Sequence, residues 1–249
     1  MHEIKNFDSK FYEDLWINQW ADMERYNPTA LHLKKHIVKI INTLNDVDTI
    51  LDAGCGMGLN ILDLRKNFPQ KKLTGGELTE GILDLAKKYT GTDNNTNYIE
   101  LDLSANMKII KNTYDLVLCN QVLEHIDNDE LAIQNLSALS NKYILITVPA
   151  GSYNKTSKLV GHFRHYSIDS LSEKILKNNL KIIILKSWGF PFHSIYKFSL
   201  NILSENNQKK IGMGKYGFNK IIISKFLYFI FKFNIFNHGE NIIILCIKE

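Results

Sequence analysis

A chain of 249 residues that is 45% hydrophobic and 22% charged, with mean hydropathy −0.16, can build a sizeable core; this excludes a disordered or collagen-like polymer. The 30 basic and 26 acidic residues are interspersed and leave a net +4, so no Lys/Arg arm for nucleic acid stands out. Cys55, Cys119 and Cys246 lie far apart with no CxxC pair, which argues against a disulfide framework or structural zinc and fits a reducing cytoplasm. The opening MHEIKNFDSK lacks an apolar stretch, so no secretory signal is expected. Lysine outnumbers arginine 27 to 3, a skew expected of an AT-rich bacterial genome.

In chain order, residues 7–44 read as helices. Tyr12, Trp16 and Trp20 recur every four residues as an aromatic stripe, and Asn27-Pro28 marks a break before the next helix. Seven apolar runs follow at 49–53, 71–77, 97–101, 114–120, 142–148, 180–186 and 241–247, the first five alternating with helical patterns. Runs such as LVLC, ILIT and IIIL lack polar alternation, as expected of strands covered on both faces in a mainly parallel sheet. Residues 1–45 are expected to form a helical cap, 46–190 the core, 191–238 an apolar helical insertion or lid, and 239–249 the last core strand, all in one compact domain. The insertion is too long for an ordinary loop. Its stretch 221–236, IIISKFLYFIFKFNIF, is too short and too charged to span a bilayer. Two readings stand for it: a lid helix packed on the domain, or a helix facing a membrane surface or lipid-linked substrate with Lys225 and Lys232 on one side.

The first strand runs into LDAGCGMGLN, which puts Gly54, Gly56 and Gly58 in a strand-to-helix turn where positive φ is needed and backbone N–H groups are open to a ligand. The spacing is Gly-x-Gly-x-Gly, and Leu59 stands where a dinucleotide turn wants Gly or Ala. Asp52, two residues before the first glycine, would repel a pyrophosphate but attract an ammonium group. Glu77, ending the second strand, is placed to accept hydrogen bonds from ribose hydroxyls. A nucleoside carrying an amino acid satisfies both carboxylates.

These motifs resemble the class I S-adenosylmethionine (SAM) dependent methyltransferases. ILDAGCGMG resembles the family's glycine motif, GGELTEGILDLAKKY its ribose motif, YIELDLSA its adenine segment with Asp102, and YDLVLCNQVLEHI its fourth-strand motif, including the Leu-Glu-His of small-molecule members. VPAG followed by GHFRHYS resembles an active-site loop. The resemblance implies a Rossmann-like α/β fold of strand order 3-2-1-4-5-7-6 with strand 7 antiparallel and helices on both faces. It implies SAM as cofactor, becoming S-adenosylhomocysteine, with no metal, held by Asp52, Gly54, Cys55, Gly56, Gly58, Glu77, Leu78, Asp102, Leu103 and Asn120. Two departures stand out: Glu77 where Asp is more frequent, and Gly75-Gly76 where a larger apolar residue is preferred.

Methyl transfer needs a positioned nucleophile and, for a hydroxyl, a base. His125, in the turn after the fourth strand, is the base candidate; the competing reading is that it caps the next helix or orients the loop. His162, Arg164, His165 and Tyr166 crowd the loop after the fifth strand, with Arg164 and His165 as further catalytic candidates and loop anchoring as the alternative. Tyr12, Trp16, His162 and Tyr166 are substrate-contact candidates, although an aromatic helical stripe is also ordinary core. Cys55 and Cys119 read as packing residues. The expected activity is methyl transfer to a small-molecule or glycan-type acceptor, most simply at oxygen, in the cytoplasm or at the inner face of its membrane, with the insertion shaping the acceptor pocket. Against it stand a non-catalytic SAM-binding subunit and a dinucleotide oxidoreductase.

Overall fold

The structure, a computed structural model, describes residues 9–107, 112–153, 157–158, 160–212 and 214–248; residues 1–8 of the expected 1–45 cap, with the first two of the helical reading at 7–44, lie outside them. The strands are β1 (Thr49–Ala53), β2 (Lys72–Glu77), β3 (Thr96–Glu100), β4 (Tyr114–Asn120), β5 (Ser140–Pro149), β6 (Leu180–Phe190), β7 (Ile235–Phe236) and β8 (Asn241–Lys248). They form one sheet in the order β3-β2-β1-β4-β5-β8-β6-β7. The inner ladder is parallel, and β8 runs antiparallel between β5 and β6. The expected seven-strand order therefore holds, with β8 as its reversed seventh strand. The two-residue β7 adds an edge beyond it. β5 and β6 are longer than their apolar runs because β8 pairs along both, as far as Asn241, which faces Pro149 and Trp188.

The absence of polar alternation has the expected cause. Alternate residues of β4 enter two different cores: Val117 and Cys119 join one cluster, Leu116 and Leu118 the other, all four fully buried. Each buried Leu or Val side chain there stabilises the fold by about 1.5–3 kcal/mol. One face is covered by α6 (Asp129–Leu139) and α7 (Ile168–Lys177), the other by α3 (Pro28–Ile41), α4 (Leu59–Asn67) and α5 (Glu80–Thr90).

Ahead of α3 come α1 (Ser9–Leu15), a widened π turn (Trp16–Trp20) and α2 (Ala21–Tyr26). The Asn27-Pro28 break is a cap: the Asn27 carboxamide oxygen accepts from the Thr29 and Ala30 N–H groups at 2.8 and 3.4 Å, with Pro28 at the first helical position. The insertion folds as α8 (Phe192–Ile202), α9 (Glu205–Gly212) and α10 (Phe218–Phe231). Its inner side closes on Phe231, 1% exposed, against Trp188, His193 and Tyr196. It reaches α3 where the His32 ring bonds the Tyr228 carbonyl at 2.9 Å. Among the described residues no helix is long and apolar enough to cross a membrane.

Candidate active site

At the carboxyl ends of β1 to β4 lies a cavity of about 560 Å3. Parallel strands bring their ends and the following turns together there, which is where open α/β sheets bind ligands. Of the glycine turn, Gly54 and Cys55 line it, and Gly56 and Gly58 do not. Gly54, Gly56 and Gly58 all have positive φ. At Gly56 a Cβ would fall 2.1 Å from the Trp16 ring, so glycine is what lets the aromatic cap sit on the turn. At Gly58 a Cβ would meet Thr90 at 2.7 Å, so that glycine serves the packing of α4 on α5 and is not on the cavity wall.

Glu77 joins β2 to this turn. Its Oε2 accepts from the Gly56 N–H and its Oε1 from the Leu78 N–H, both at 2.8 Å. Burial raises its pKa, while those two bonds pull it back. The longer side chain, unusual by resemblance, is what spans to Gly56. The Gly75-Gly76 departure has a packing cause as well: a Cβ at Gly75 would lie 2.7 Å from the Tyr98 ring, and one at Gly76 would lie 2.6 Å from Leu101.

Asp52 is fully buried beneath the wall. Its Oδ1 accepts from Asn60 Nδ2 at 3.3 Å, and its Oδ2 has no partner. Burial, reinforced by the charge of Glu24, pushes its pKa up to about 7. Asn60, which is on the wall, extends the network: its Oδ1 accepts from Asn120 Nδ2 at 3.4 Å, Asn120 Oδ1 accepts from the Thr147 hydroxyl at 2.6 Å, and that hydroxyl accepts from Gln121 at 3.2 Å. Asp52 does not line the cavity itself and reaches it through Asn60. Glu24 was not legible in advance. It comes from α2, lines the cavity, stands 3.6 Å from Lys34 Nζ, and keeps Oε2 buried without a partner; burial raises its pKa. Asp102 and Leu103 are on the opposite wall with Leu78, Asp102 Oδ1 accepting from Ser104 N–H and hydroxyl at 2.8 and 2.6 Å. Cys55 is also on the wall, its thiol pKa driven up by burial, and Cys119 is core.

The other end of the cavity is aromatic and imidazole. His125 closes a short 3-10 turn, Leu123–His125. Its ring meets Tyr12 and Trp20 at 5.6 Å and His162 at 4.6 Å between centroids, and Tyr12 donates to the His125 carbonyl at 3.1 Å. Burial lowers the pKa of His125 to about 4 and that of His162 to about 2, so both are neutral at pH 7. His125 Nδ1 has no partner. Beside them Glu124 is 1% exposed, with both carboxylate oxygens unpartnered and burial pushing its pKa up to about 8. Donor atoms of Glu124, His125 and His162 lie within 4.8 Å of one another, a spacing at which the three could ligate one cation.

The other candidates of the 162–166 loop lie off this cavity. Arg164 donates to the Ile126 and Asp127 carbonyls at 2.5 Å and pairs with Asp129 at 3.5 Å. Tyr166 is buried and donates to Asp129 at 2.8 Å. Both tie down the segment that follows His125. His165 lines a separate shallow cleft with Tyr166 and reaches inward only through its 3.1 Å contact with His162. Among the described residues none of 191–238 lines the cavity; Tyr12, Trp16 and Trp20 cover it, and the insertion meets Trp188 and α3 and bears on the histidine end through the charge of Lys197, which acts on Glu124 and His162.

Residues 50–141 match the family model described as a methyltransferase domain. The match spans 92 of the 249 residues and makes this segment similar to methyltransferase domains. The chain is 27% identical over 128 residues to the ubiquinone biosynthesis O-methyltransferase of Hydrogenovibrio crunogenus, covering 50% of this chain and 49% of that one. It is 29% identical over 89 residues to the malonyl-[acyl-carrier protein] O-methyltransferase of Halalkalibacterium halodurans, covering 35% and 33%. The chain spans about half or less of the length of these curated relatives. Among solved structures it is similar to magnesium protoporphyrin IX methyltransferase from Synechocystis, solved with bound SAM, at TM-score 0.52 and 14% identity over 88% of this chain and 79% of that one. The matched methyltransferase domain holds the glycine turn, Glu77, Asp102 and His125; Tyr12, Trp16, Glu24 and His162 lie outside it.

Proposed function

We propose that this protein binds SAM in the cavity and transfers its methyl group to an oxygen of a small-molecule or glycan-type acceptor. What carries the reading is one cavity with carboxylates around a glycine turn at one end and neutral histidines at the other. The residues fit the cofactor. Asp52 and Glu24 each keep a buried oxygen without a partner, and a cationic sulfonium amino acid is the ligand class whose charge offsets theirs. Glu77 would hold the ribose hydroxyls on the lone pairs its backbone bonds leave free, and Leu101 and Leu103 would flank the adenine beside Asp102. When bound, SAM supplies an electrophilic methyl group.

At the other end, His125 is the group placed to take the proton of an acceptor hydroxyl; burial leaves it neutral above about pH 4, free to accept, and a weaker base than a solvated imidazole. Tyr12 and His162 fix its ring, and Arg164 and Tyr166 hold the segment behind it. Trp16 and Trp20 exclude water above the turn. The O-methyltransferase relatives support oxygen as the accepting atom.

Calorimetry with SAM against NADH tests the cofactor. SAM is expected to bind and NADH not, with Asp52→Ala and Glu77→Ala each weakening SAM by at least several-fold. Unchanged affinity in both variants overturns the site. A radiolabelled-methyl assay on a bacterial extract then tests transfer, and SAM binding with no labelled acceptor would favour a non-catalytic subunit.

A further inference from the structure

We propose that the outer face of the 191–238 insertion docks this protein on an anionic lipid bilayer surface. On α10, Phe218, Ile222, Phe226 and Phe229 stand at i, i+4, i+8 and i+11, within about 80° of arc at about 100° per residue. They are 79, 50, 62 and 52% exposed, while Ser224 and Phe231 on the opposite side are buried. On α8, Ile195, Phe198 and Ile202 form a second stripe at i, i+3 and i+7, exposed by 62, 67 and 70%. The inner residues His193 and Tyr196 of α8 pack on Phe231 of α10, so both stripes turn away from one shared inner cluster. Scattered exposed apolar residues are ordinary; two neighbouring helices with whole apolar faces in water mark an interaction surface.

Charge selects the occupant. Residues 191–238 contain seven lysines and one glutamate, a net +6 in a chain whose total is +4; Lys197 turns inward to an ion pair with Glu240, while Lys210, Lys215, Lys225 and Lys232 are exposed. Lys225 and Lys232 are exposed along one edge of the α10 stripe. A second copy of this face would bring like charge against like charge, whereas an anionic bilayer offers a complementary surface with an apolar layer beneath. A 14-residue helix cannot span that layer, but it can lie in the interface with its phenylalanines inserted and its lysines reaching the headgroups.

The docking is independent of methyl transfer, and its test needs no catalysis. The full chain is floated with vesicles of phosphatidylcholine, alone or with about 30% phosphatidylglycerol, at about 0.1 and 0.5 M salt. Partitioning onto the anionic vesicles is expected to be at least tenfold stronger and to fall several-fold in high salt. The double variants Phe226→Ser/Phe229→Ser and Lys225→Glu/Lys232→Glu are each expected to lose about tenfold or more. These side chains are exposed, so the melting temperature is expected to hold; where it does not, Phe218→Ser/Ile222→Ser replaces the first pair. Wild-type protein that stays off anionic vesicles, or folded variants that bind as wild type does, overturns the proposal. So does a vesicle-free dimer that Phe226→Ser/Phe229→Ser dissolves, which would make a second copy the occupant.

Discussion

The two ends of the cavity are built from opposite electrostatics. At the glycine turn, Glu77 is anchored by two backbone N–H groups, and Asp52 and Glu24 leave buried oxygens unanswered. At the histidine end, burial keeps His125 and His162 neutral, and Glu124 takes a proton at pH values where a solvated glutamate has lost it. Burial raises the carboxyls at both ends, and among them Glu77 is the one with two fixed backbone donors that hold its charge. The first end is suited to gripping a cation, the second to moving a proton.

Breaking the second end is expected to have the largest kinetic effect. His125→Ala should lower kcat by about 10²–10⁴-fold, the span of a lost general base, and leave SAM affinity within about twofold. Single-turnover kinetics with calorimetry checks both, and a wild-type rate removes His125 as the base. Breaking the first end reverses the pattern. Glu77→Ala leaves the Gly56 and Leu78 N–H groups unpaired as well as removing the ribose acceptor, so SAM affinity should fall by about 30–100-fold, more than for Asp52→Ala. Arg164→Ala sharpens the contrast between touching and positioning. It removes bonds to the Ile126 and Asp127 carbonyls and the pair with Asp129, so a stability loss of about 1–2 kcal/mol and a roughly tenfold fall in kcat are expected, with SAM affinity unchanged. A tenfold rise in acceptor KM at constant kcat would place Arg164 on the substrate instead.

The first end was the more legible because its residues sit at strand ends, within a few positions of the glycines, where βα geometry fixes them in advance. Asp52 and Glu77 were placed from that local grammar, whereas the sheet order followed from the family resemblance. Glu24 was not so placed, since a single acid in a helix carries no mark of the turn it faces; the register of α2 against the cavity is a tertiary fact. In the loop after β5, the density of His162, Arg164, His165 and Tyr166 was visible, but three residues of chain are enough to send His162 into the cavity and His165 to another cleft. The insertion was legible only in part, for a related reason. Apolarity announces a buried or docking face without saying against what, and here the inner face meets Trp188 while the outer one stays in water.

Glu124 gives a final way to separate the ends, through stability and not rate. Its folded pKa of about 8 lies above the ordinary value of 4.5, so the stability it contributes is fully present below about pH 4.5 and is lost as pH rises through 8. Glu124→Gln cannot ionise. The variant should therefore match wild type near pH 4.5 and exceed it at pH 9 by up to about 5 kcal/mol, read from denaturant midpoints at the two values. His125 and His162 act in the other direction, with stability present above about pH 6.5 and lost as pH falls toward 4 and lower. They titrate in both proteins, so the difference between variant and parent isolates the buried carboxyl. A constant gap at every pH would mean that Glu124 is ionised throughout, and the histidine end would then hold a fixed negative charge like its neighbour.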